Sequence, residues 1–211
     1  MKAIKVATED ANAYYEIVSR LKKTHLRFSS IWPGQAVDSV RDLVLTSDQE
    51  KSALGGQAVA IGDLHKDPLI MEGQLLSRLL DESRRDLLIG IDPGSRIGVV
   101  MFYGGRELGA LTANFVDEVV DLLVMVVREV PHSSLSVKIG GGEPRSSLLL
   151  ARSLRGRLSP SASIEIVDES GTSAGKRGVI GATRDERAAV RIAFRKGVQF
   201  NDAERSRRNL G

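Results

Sequence analysis

The clearest pattern of hydrophobic and polar positions lies between about residue 86 and residue 200. Short apolar runs of strand length alternate there with longer amphipathic stretches of helix length. The short runs predict five strands, at 87–92, 97–103, 107–112, 135–139 and 164–167. The longer stretches predict three helices, at 114–130, 144–157 and 183–196.

The order of these elements predicts their arrangement. Gly104-Gly105 is a hairpin signal between the second and third strands, so the first three strands are expected to pair in antiparallel fashion. The remaining strands and helices form two crossover units, which are right-handed in parallel sheets. The pattern therefore predicts an α/β domain with a mixed five-stranded sheet and helices on its faces, which is the ribonuclease H topology.

The first half of the chain predicts a smaller α/β unit that carries no motif of recognisable chemistry. Strands are expected at 2–7, 42–45, 58–61 and 69–72, with helices from residue 9 or 10 to 26, from 47–50 onward, and at 74–82. A charged run at 81–86 separates the halves. The sequence thus predicts domains at 1–82 and 86–200, followed by a basic tail at 201–211.

Composition excludes several classes of site. The chain has no cysteine, so disulfides, thiolate zinc sites and a cysteine nucleophile are ruled out. The longest apolar run, at 116–130, is interrupted by charged residues, among them Asp117, Glu118, Asp121 and Arg128, and is shorter than a membrane span. The first residues also lack the apolar core of a signal peptide. We expect a soluble, cytoplasmic protein that does not bind membranes.

The net charge of +3 is unevenly distributed. Residues 1–80 contain ten basic and ten acidic side chains, whereas residues 176–208 contain ten basic and four acidic ones. A basic patch near the C-terminus suits a phosphate backbone, and it equally suits a solvated helix face with a frayed tail.

A short motif at 90–98 carries the most specific local signal. Asp92 directly follows an apolar strand, and Pro93-Gly94 turns the chain away. A carboxylate at such an edge could hold a hard divalent cation, although Asp-Pro-Gly turns often have no chemical role. The stretch Gly-Ile-Asp-Pro-Gly-Ser-Arg, followed shortly by Gly, resembles the first motif of RuvC-type Holliday junction resolvases. It is also similar to the Asp-x-Gly-x-x-x-x-Gly opening of the YqgF family.

Two later segments extend this resemblance. Residues 164–173 are similar to the YqgF strand that ends in Asp-Glu-Arg and then Ser or Thr. Residues 185–193 resemble the family's last helix, in which Asp opens an alanine-rich stretch. The motifs follow the family's order and cover about the last 115 residues, while nothing before residue 86 resembles the family.

The RuvC/YqgF resemblance implies a metal site. It identifies Asp92, Glu169 and Asp185 as the catalytic acids, which would hold two Mg²⁺ or Mn²⁺ ions. Asp168 is the alternative to Glu169, because neighbours on a strand point to opposite faces. RuvC enzymes have an acid at the end of the fourth strand, where this chain has 139–142, Ile-Gly-Gly-Gly. Glu143 could compensate or simply begin the next helix, and we favour the second. Ser170 replaces the YqgF arginine.

Helical geometry bears on the last motif. At about 100° per residue, Asp185, Ala189 and Ile192 fall within about 60° of one another, at the edge that would face the sheet. Asp185 could alternatively serve only as a first-turn acid that favours the helix dipole. A neighbouring basic stripe, together with an arginine of the first motif, is the expected nucleic-acid contact: Arg96, Arg184, Arg187, Arg191 and Arg195.

These patterns leave three functions open. The leading hypothesis is a divalent-metal-dependent endonuclease acting on structured or branched DNA or RNA. The second is a catalytically inactive nucleic-acid-binding or scaffold protein on the same fold. The third is an actin- or sugar-kinase-like phosphotransferase, since 139–144 also resembles the glycines that contact adenosine in those enzymes. Substrate selection or homodimerisation are the roles left open for the first domain, where Trp32, Tyr14 and Tyr15 could stack on bases or pack a core.

Overall fold

The computed structural model describes residues 3–35, 42–54, 58–169 and 183–201. The chain divides into two compact units, Met1–Arg84 with Glu129–Pro131 (unit 1) and Arg85–Arg128 with His132–Gly211 (unit 2). The division after Arg84 falls inside the charged segment 81–86. Among the helices of the described residues, none combines the length and apolarity needed to cross a membrane.

Unit 1 is built on a parallel four-stranded sheet with the spatial order β2-β1-β3-β4. Its strands are β1 (Ala3–Val6), β2 (Phe28–Ser30), β3 (Asp42–Thr46) and β4 (Ala58–Ala60). Its helices are α1 (Ala11–Leu21), α2 (Lys51–Leu54) and α3 (Pro68–Leu79). Asp10 begins α1 by accepting hydrogen bonds from the backbone of Asn12 and Ala13.

Two expectations for unit 1 are corrected. The strand predicted at 69–72 is wrong, because Asp67 caps a helix there and Pro68 occupies its first position, where proline is favoured. The apolar run at 69–72 resembled a strand because α3 is buried around much of its circumference, from Ile70 to Leu79, so its sequence lacks a clear helical alternation of apolar and polar residues. Strand β2 was not predicted, since it has only three residues and lies at an edge of the sheet.

Unit 2 contains a mixed sheet with the spatial order β10-β9-β8-β5-β6-β7. Its strands are β5 (Asp86–Asp92), β6 (Ile97–Tyr103), β7 (Arg106–Ala113), β8 (Ser134–Gly140), β9 (Ser163–Val167) and β10 (Val198–Gln199). Its helices are α4 (Val116–Glu129), α5 (Pro144–Arg157) and α6 (Arg184–Ala193). The α/β class is confirmed.

The directions of the first five of these strands agree with the expected arrangement. Strands β5, β6 and β7 pair in antiparallel fashion, while β8 and β9 extend the sheet in parallel with β5. The prediction of five strands is corrected to six, because β10 pairs antiparallel with β9 after α6 ends. With two residues, β10 is too short to produce an alternating pattern.

Helix α6 packs directly against β5 and β6, and we call the side of the sheet that it covers the α6 face. A small apolar cluster holds the helix there, with Val100 and Phe102 from β6 and Ala189, Val190 and Ala193 from α6. The Phe102 and Phe194 rings meet edge to face with centroids 4.8 Å apart. This contact fixes the position of the helix that carries Asp185.

Candidate functional site

Asp92 is the last residue of β5, and its side chain is half-buried. Because side chains alternate along a strand, Asp92 shares a face with Gly90. That face is covered by α6, since a Cβ atom on Gly90 would lie 2.3 Å from the backbone oxygen of Ala189. Asp92 therefore points toward the region beneath the first turn of α6.

Asp185 lies in that first turn, close to Gly98, the residue that pairs with Asp92 in the sheet. Asp92 pairs with Gly98 of β6, and a Cβ atom at Gly98 would stand 2.3 Å from the backbone oxygen of Asp185. No side chain fits between strand and helix at this point, so glycine is required. Gly98 thus explains how α6 approaches the sheet closely enough to bring Asp185 beside Asp92.

The start of α6 is stabilised by a capping box that involves a different acid. The Thr183 hydroxyl accepts the backbone N–H of Glu186 at 3.2 Å, and the Glu186 carboxylate accepts the backbone N–H of Thr183 at 2.7 Å. Glu186 is therefore occupied in capping the helix. Asp185 takes no part in this box, which leaves its carboxylate for the site.

Glu169 lies two residues beyond β9 and comes to the same face from the other side. Its Oε1 accepts the backbone N–H of Gly142 at 2.9 Å. A Cβ atom on Gly140 would be 2.4 Å from this oxygen and 2.7 Å from Cδ1 of Ile192 on α6. The Gly140–Gly142 turn at the end of β8 therefore makes room for Glu169 next to the helix.

Asp168, the alternative acid, is exposed on the surface. Its backbone oxygen accepts a hydrogen bond from Nη1 of Arg195 at 3.3 Å. Of the two neighbouring acids, both of which follow the end of β9, Glu169 is the one that contacts the turn beside α6.

The three acids interact electrostatically. Burial, and after it the charges of Glu169 and Asp185, raise the pKa of Asp92 to about 6. The cations Arg191 and Arg184 act on the same carboxyl in the opposite direction. Asp92 therefore lies in a region where negative charge from two other elements is concentrated and partly balanced by α6.

The donor chemistry of these residues fits a hard divalent cation, since carboxylate oxygens are the ligands that Mg²⁺ and Mn²⁺ prefer. The arrangement is nevertheless not a finished coordination sphere. Within the part of the chain that the structure describes, no three acidic or histidine side chains stand close enough together to hold one metal ion. Glu169 is engaged with Gly142, and Asp92 and Asp185 approach from separate elements.

Among the described residues, the end of β8 itself carries no acidic side chain where RuvC enzymes have their fourth-strand acid. Glu143 lies at the N-cap of α5, is exposed and makes no side-chain hydrogen bond to the helix. The buried hydroxyl of Ser147 lies 2.5 Å from the carbonyl oxygen of Gly140 and 2.7 Å from that of Glu143. The glycine turn is thus organised by Ser147 and Glu169.

The predicted arginines divide into two groups. Arg184, Arg187 and Arg191 are exposed along α6, and Arg96 is exposed in the turn after β5. Arg195 is only partly exposed and binds the backbone of Asp168, so it supports the loop that carries Glu169. The motif residues 170–173 and most of the basic tail, 202–211, lie outside the described residues.

One feature of the α6 face was missed by sequence reasoning. Lys138 of β8 forms an ion pair with Glu165 of β9, and both side chains are largely buried. Glu165 also accepts the backbone N–H of Gly197 at 3.0 Å. Burial opposes ionisation of Glu165, but these hydrogen bonds outweigh it and lower its pKa. The sequence did contain a signal for this ion pair, because each of two otherwise apolar strands carries one charged residue, a lysine in β8 and a glutamate in β9.

Two comparisons with known proteins gave a match, one limited to unit 1 and one that covers most of the chain. A family model described as a response regulator receiver-like domain matches residues 3–67, which lie in unit 1 and make up less than half of the chain. No curated protein matches the chain. Among solved structures, the crystal structure of A. aeolicus Argonaute is similar, with a TM-score of 0.30 and 10% sequence identity.

The Argonaute match covers 79% of this chain and 34% of that one, so the chain spans about a third of the length of the Argonaute chain. A likeness of this extent establishes neither a shared fold nor a shared activity. The functional argument for unit 2 therefore rests on its own residues.

Proposed function

We propose that unit 2 is a divalent-cation-dependent endonuclease that acts on structured or branched nucleic acid. The observation that supports this proposal is the approach of Asp92, Glu169 and Asp185, from three separate elements, to one region of the α6 face. Arg184 and Arg191 act on the same region with positive charge. Metal-dependent phosphodiester hydrolysis uses acidic side chains to hold the metal ions. Neighbouring arginines can bind the phosphates of the substrate.

In this proposal Asp92, Glu169 and Asp185 hold Mg²⁺ or Mn²⁺. When bound, such ions activate water and stabilise the leaving oxygen of a phosphodiester. The other residues of the site position the acids and supply positive charge. Gly98 keeps Asp185 beside Asp92, and the Gly142 N–H orients Glu169. The exposed arginines of α6 attract the phosphate backbone toward the acids.

The test is cleavage of a panel of branched DNA and structured RNA by the full chain in the presence of Mn²⁺ or Mg²⁺. We expect cleavage that requires the cation and falls by at least about a hundredfold in Asp92→Asn, which corresponds to about 2.7 kcal/mol of activation free energy. Asp168→Asn is the matched control, since it removes an exposed acid next to Glu169. Loss of activity in the control alone, or no cleavage of any substrate by the wild type, would contradict the proposal.

A second function is supported by specific observations. Neither an acid at the end of β8 nor a ready-made group of three metal-binding side chains is found among the described residues. These observations favour a nucleic-acid-binding protein on a nuclease-like fold that does not cleave. For such a protein, the wild type and the Asp92→Asn variant would bind the same panel with equal affinity. Neither would cleave it when divalent cations are added.

A further inference from the structure

The parallel sheet of unit 1 has a topological switch point between β1 and β3, and we call the space outside the carboxyl ends of these two strands the crevice. From β1 the chain passes to β2 on one side and later returns to β3 on the other, so β1 and β3 are neighbours whose connections leave in opposite directions. In open parallel α/β sheets, ligands bind outside the carboxyl ends of two such strands. Here this point is bounded by residues 7–9 after β1 and 46–48 after β3.

The walls of the crevice supply hydrogen-bond donors. Thr46 ends β3 and Ser47 follows it, and both are buried. Thr8 brings a third hydroxyl from the end of β1, and the backbone N–H of Glu9 stands beside it. The buried hydroxyls of Thr46 and Ser47 require acceptors, because leaving such a group unpaired is costly.

All four donors converge on the carboxylate of Glu50. Its Oε2 accepts the hydroxyls of Ser47 at 2.6 Å and of Thr46 at 3.1 Å, and the Thr8 hydroxyl contacts the same oxygen. Its Oε1 accepts the backbone N–H of Glu9 at 2.7 Å. The Thr8 hydroxyl also accepts the backbone N–H of Asp10, so its own proton is left for Glu50.

The carboxylate is held in its charged form. Burial by itself would raise the pKa of Glu50, but the hydrogen bonds from Ser47, Thr8, the Glu9 backbone and Thr46 together lower it to about 2. Among the ion pairs found between described residues, none involves Glu50. The negative charge is therefore stabilised by neutral donors, as in a binding site for an oxyanion.

We propose that this crevice is an oxyanion-binding site whose resident ligand is the Glu50 side chain. Its donors match the oxygens of a carboxylate or a phosphate, both of which accept several hydrogen bonds. Glu50 comes from the turn between β3 and α2, so it is tethered at a high effective concentration. The Glu50 side chain therefore occupies the crevice, and unit 1 binds no free anion there. This inference does not depend on the proposed nuclease activity of unit 2.

The first test removes the internal ligand from the full chain. The Glu50→Ala variant is heated in sodium acetate, sodium phosphate or sodium chloride at matched ionic strength, and hydrogen exchange follows the peptides of β1 and β3. We expect Glu50→Ala to have a lower Tm than wild type and to regain at least half of the loss with acetate or phosphate but not with chloride. The relative effects of acetate and phosphate identify the anion that the crevice prefers.

Two matched variants locate the effect. Glu16→Ala removes an exposed acid of the same unit that pairs with Arg20 within its helix, and it should show no response specific to acetate or phosphate. Adding Ser47→Ala to Glu50→Ala removes one donor and should weaken the anion response several-fold. Equal rescue with and without Ser47, or the same anion response in wild type, would overturn the proposal.

A second measurement needs no variant and decides the question if Glu50→Ala does not fold. Carboxyl groups of the native chain are labelled with carbodiimide and glycine ethyl ester, and the modified residues are quantified by mass spectrometry. Glu50 should react about tenfold more slowly than Glu16, which corresponds to about 1.4 kcal/mol of protection. Equal labelling of the two would show that Glu50 does not occupy the crevice.

Discussion

Asp92 stands in an environment that disfavours a charged carboxylate. Burial disfavours its charge, and the neighbouring acids add to this cost, which together hold its pKa near 6. A carboxyl group whose pKa is raised on folding contributes full stability below its unfolded pKa of about 4 and loses that contribution as the pH rises through 6.

The substitution Asp92→Asn should therefore stabilise unit 2 at pH 7.5. We expect a gain of about 1 to 2 kcal/mol, allowing for solvent screening of a half-buried group, with the difference disappearing near pH 4. Thermal unfolding of both proteins between pH 4 and 8, without divalent ions, measures it. Asp168→Asn, at an exposed position, should change Tm little. A variant less stable than wild type at pH 7.5 would contradict this account.

At the level of elements, the position of α6 depends on two glycines. Gly90 and Gly98 stand on adjacent strands, each directly beneath the helix backbone. Because the nearest atom above each glycine is a backbone oxygen of α6, a new side chain could be accommodated only by moving the helix.

The substitution Gly98→Ala should displace the first turn of α6 from the sheet. The added Cβ would lie 2.3 Å from the Asp185 backbone oxygen, so we expect a loss of about 1 to 3 kcal/mol in the free energy of unfolding. Separation of Asp185 from Asp92 should also lower any cation-dependent cleavage. Denaturant unfolding and the cleavage assay measure the two effects.

Gly156→Ala serves as the control for this substitution. Gly156 lies in α5 with no neighbouring atom within 4 Å of the added Cβ, so alanine should be neutral or stabilise by up to about 1 kcal/mol. If Gly98→Ala were tolerated as well as Gly156→Ala, the close approach of α6 to the sheet would be wrong.

At the scale of the whole molecule, charge determines how nucleic acid would be bound. Exposed arginines are aligned along α6, while Arg195 is held by the loop at Asp168. Contacts with phosphates release counterions, so the affinity of such a surface falls steeply with salt.

The double variant Arg184→Ala/Arg191→Ala should bind nucleic acid more weakly and with a smaller salt dependence. Each lost phosphate contact lowers the slope of log affinity against log salt concentration by about 0.9 for duplex DNA. Fluorescence anisotropy over a salt series measures it. Arg157→Ala, on α5 and paired with Asp121, is a matched control that should leave the slope unchanged. An unchanged slope in the double variant would exclude α6 as the binding surface.

Local pattern was sufficient for much of unit 2. Five strands and three helices could be predicted because alternation, glycine turns and caps are properties of neighbouring residues. Helix α5 runs over the predicted range, Pro144–Arg157, since proline suits its first turn and Ser-Pro ends it. The same reasoning failed where tertiary burial overrides periodicity, as in α3, and where a strand is too short to show a pattern, as in β2 and β10.

The sequence by itself proposed which residues could form the candidate site, because the segments around Asp92, Glu169 and Asp185 resemble RuvC/YqgF motifs in the family's order. Only the tertiary structure decided how closely they approach one region: Gly98 lets α6 touch the sheet, and the Gly140–Gly142 turn receives Glu169. It also decided the role of Glu50, whose donors come from the ends of two different strands. Contacts between residues distant in the chain depend on sheet order and close packing, which no local pattern encodes.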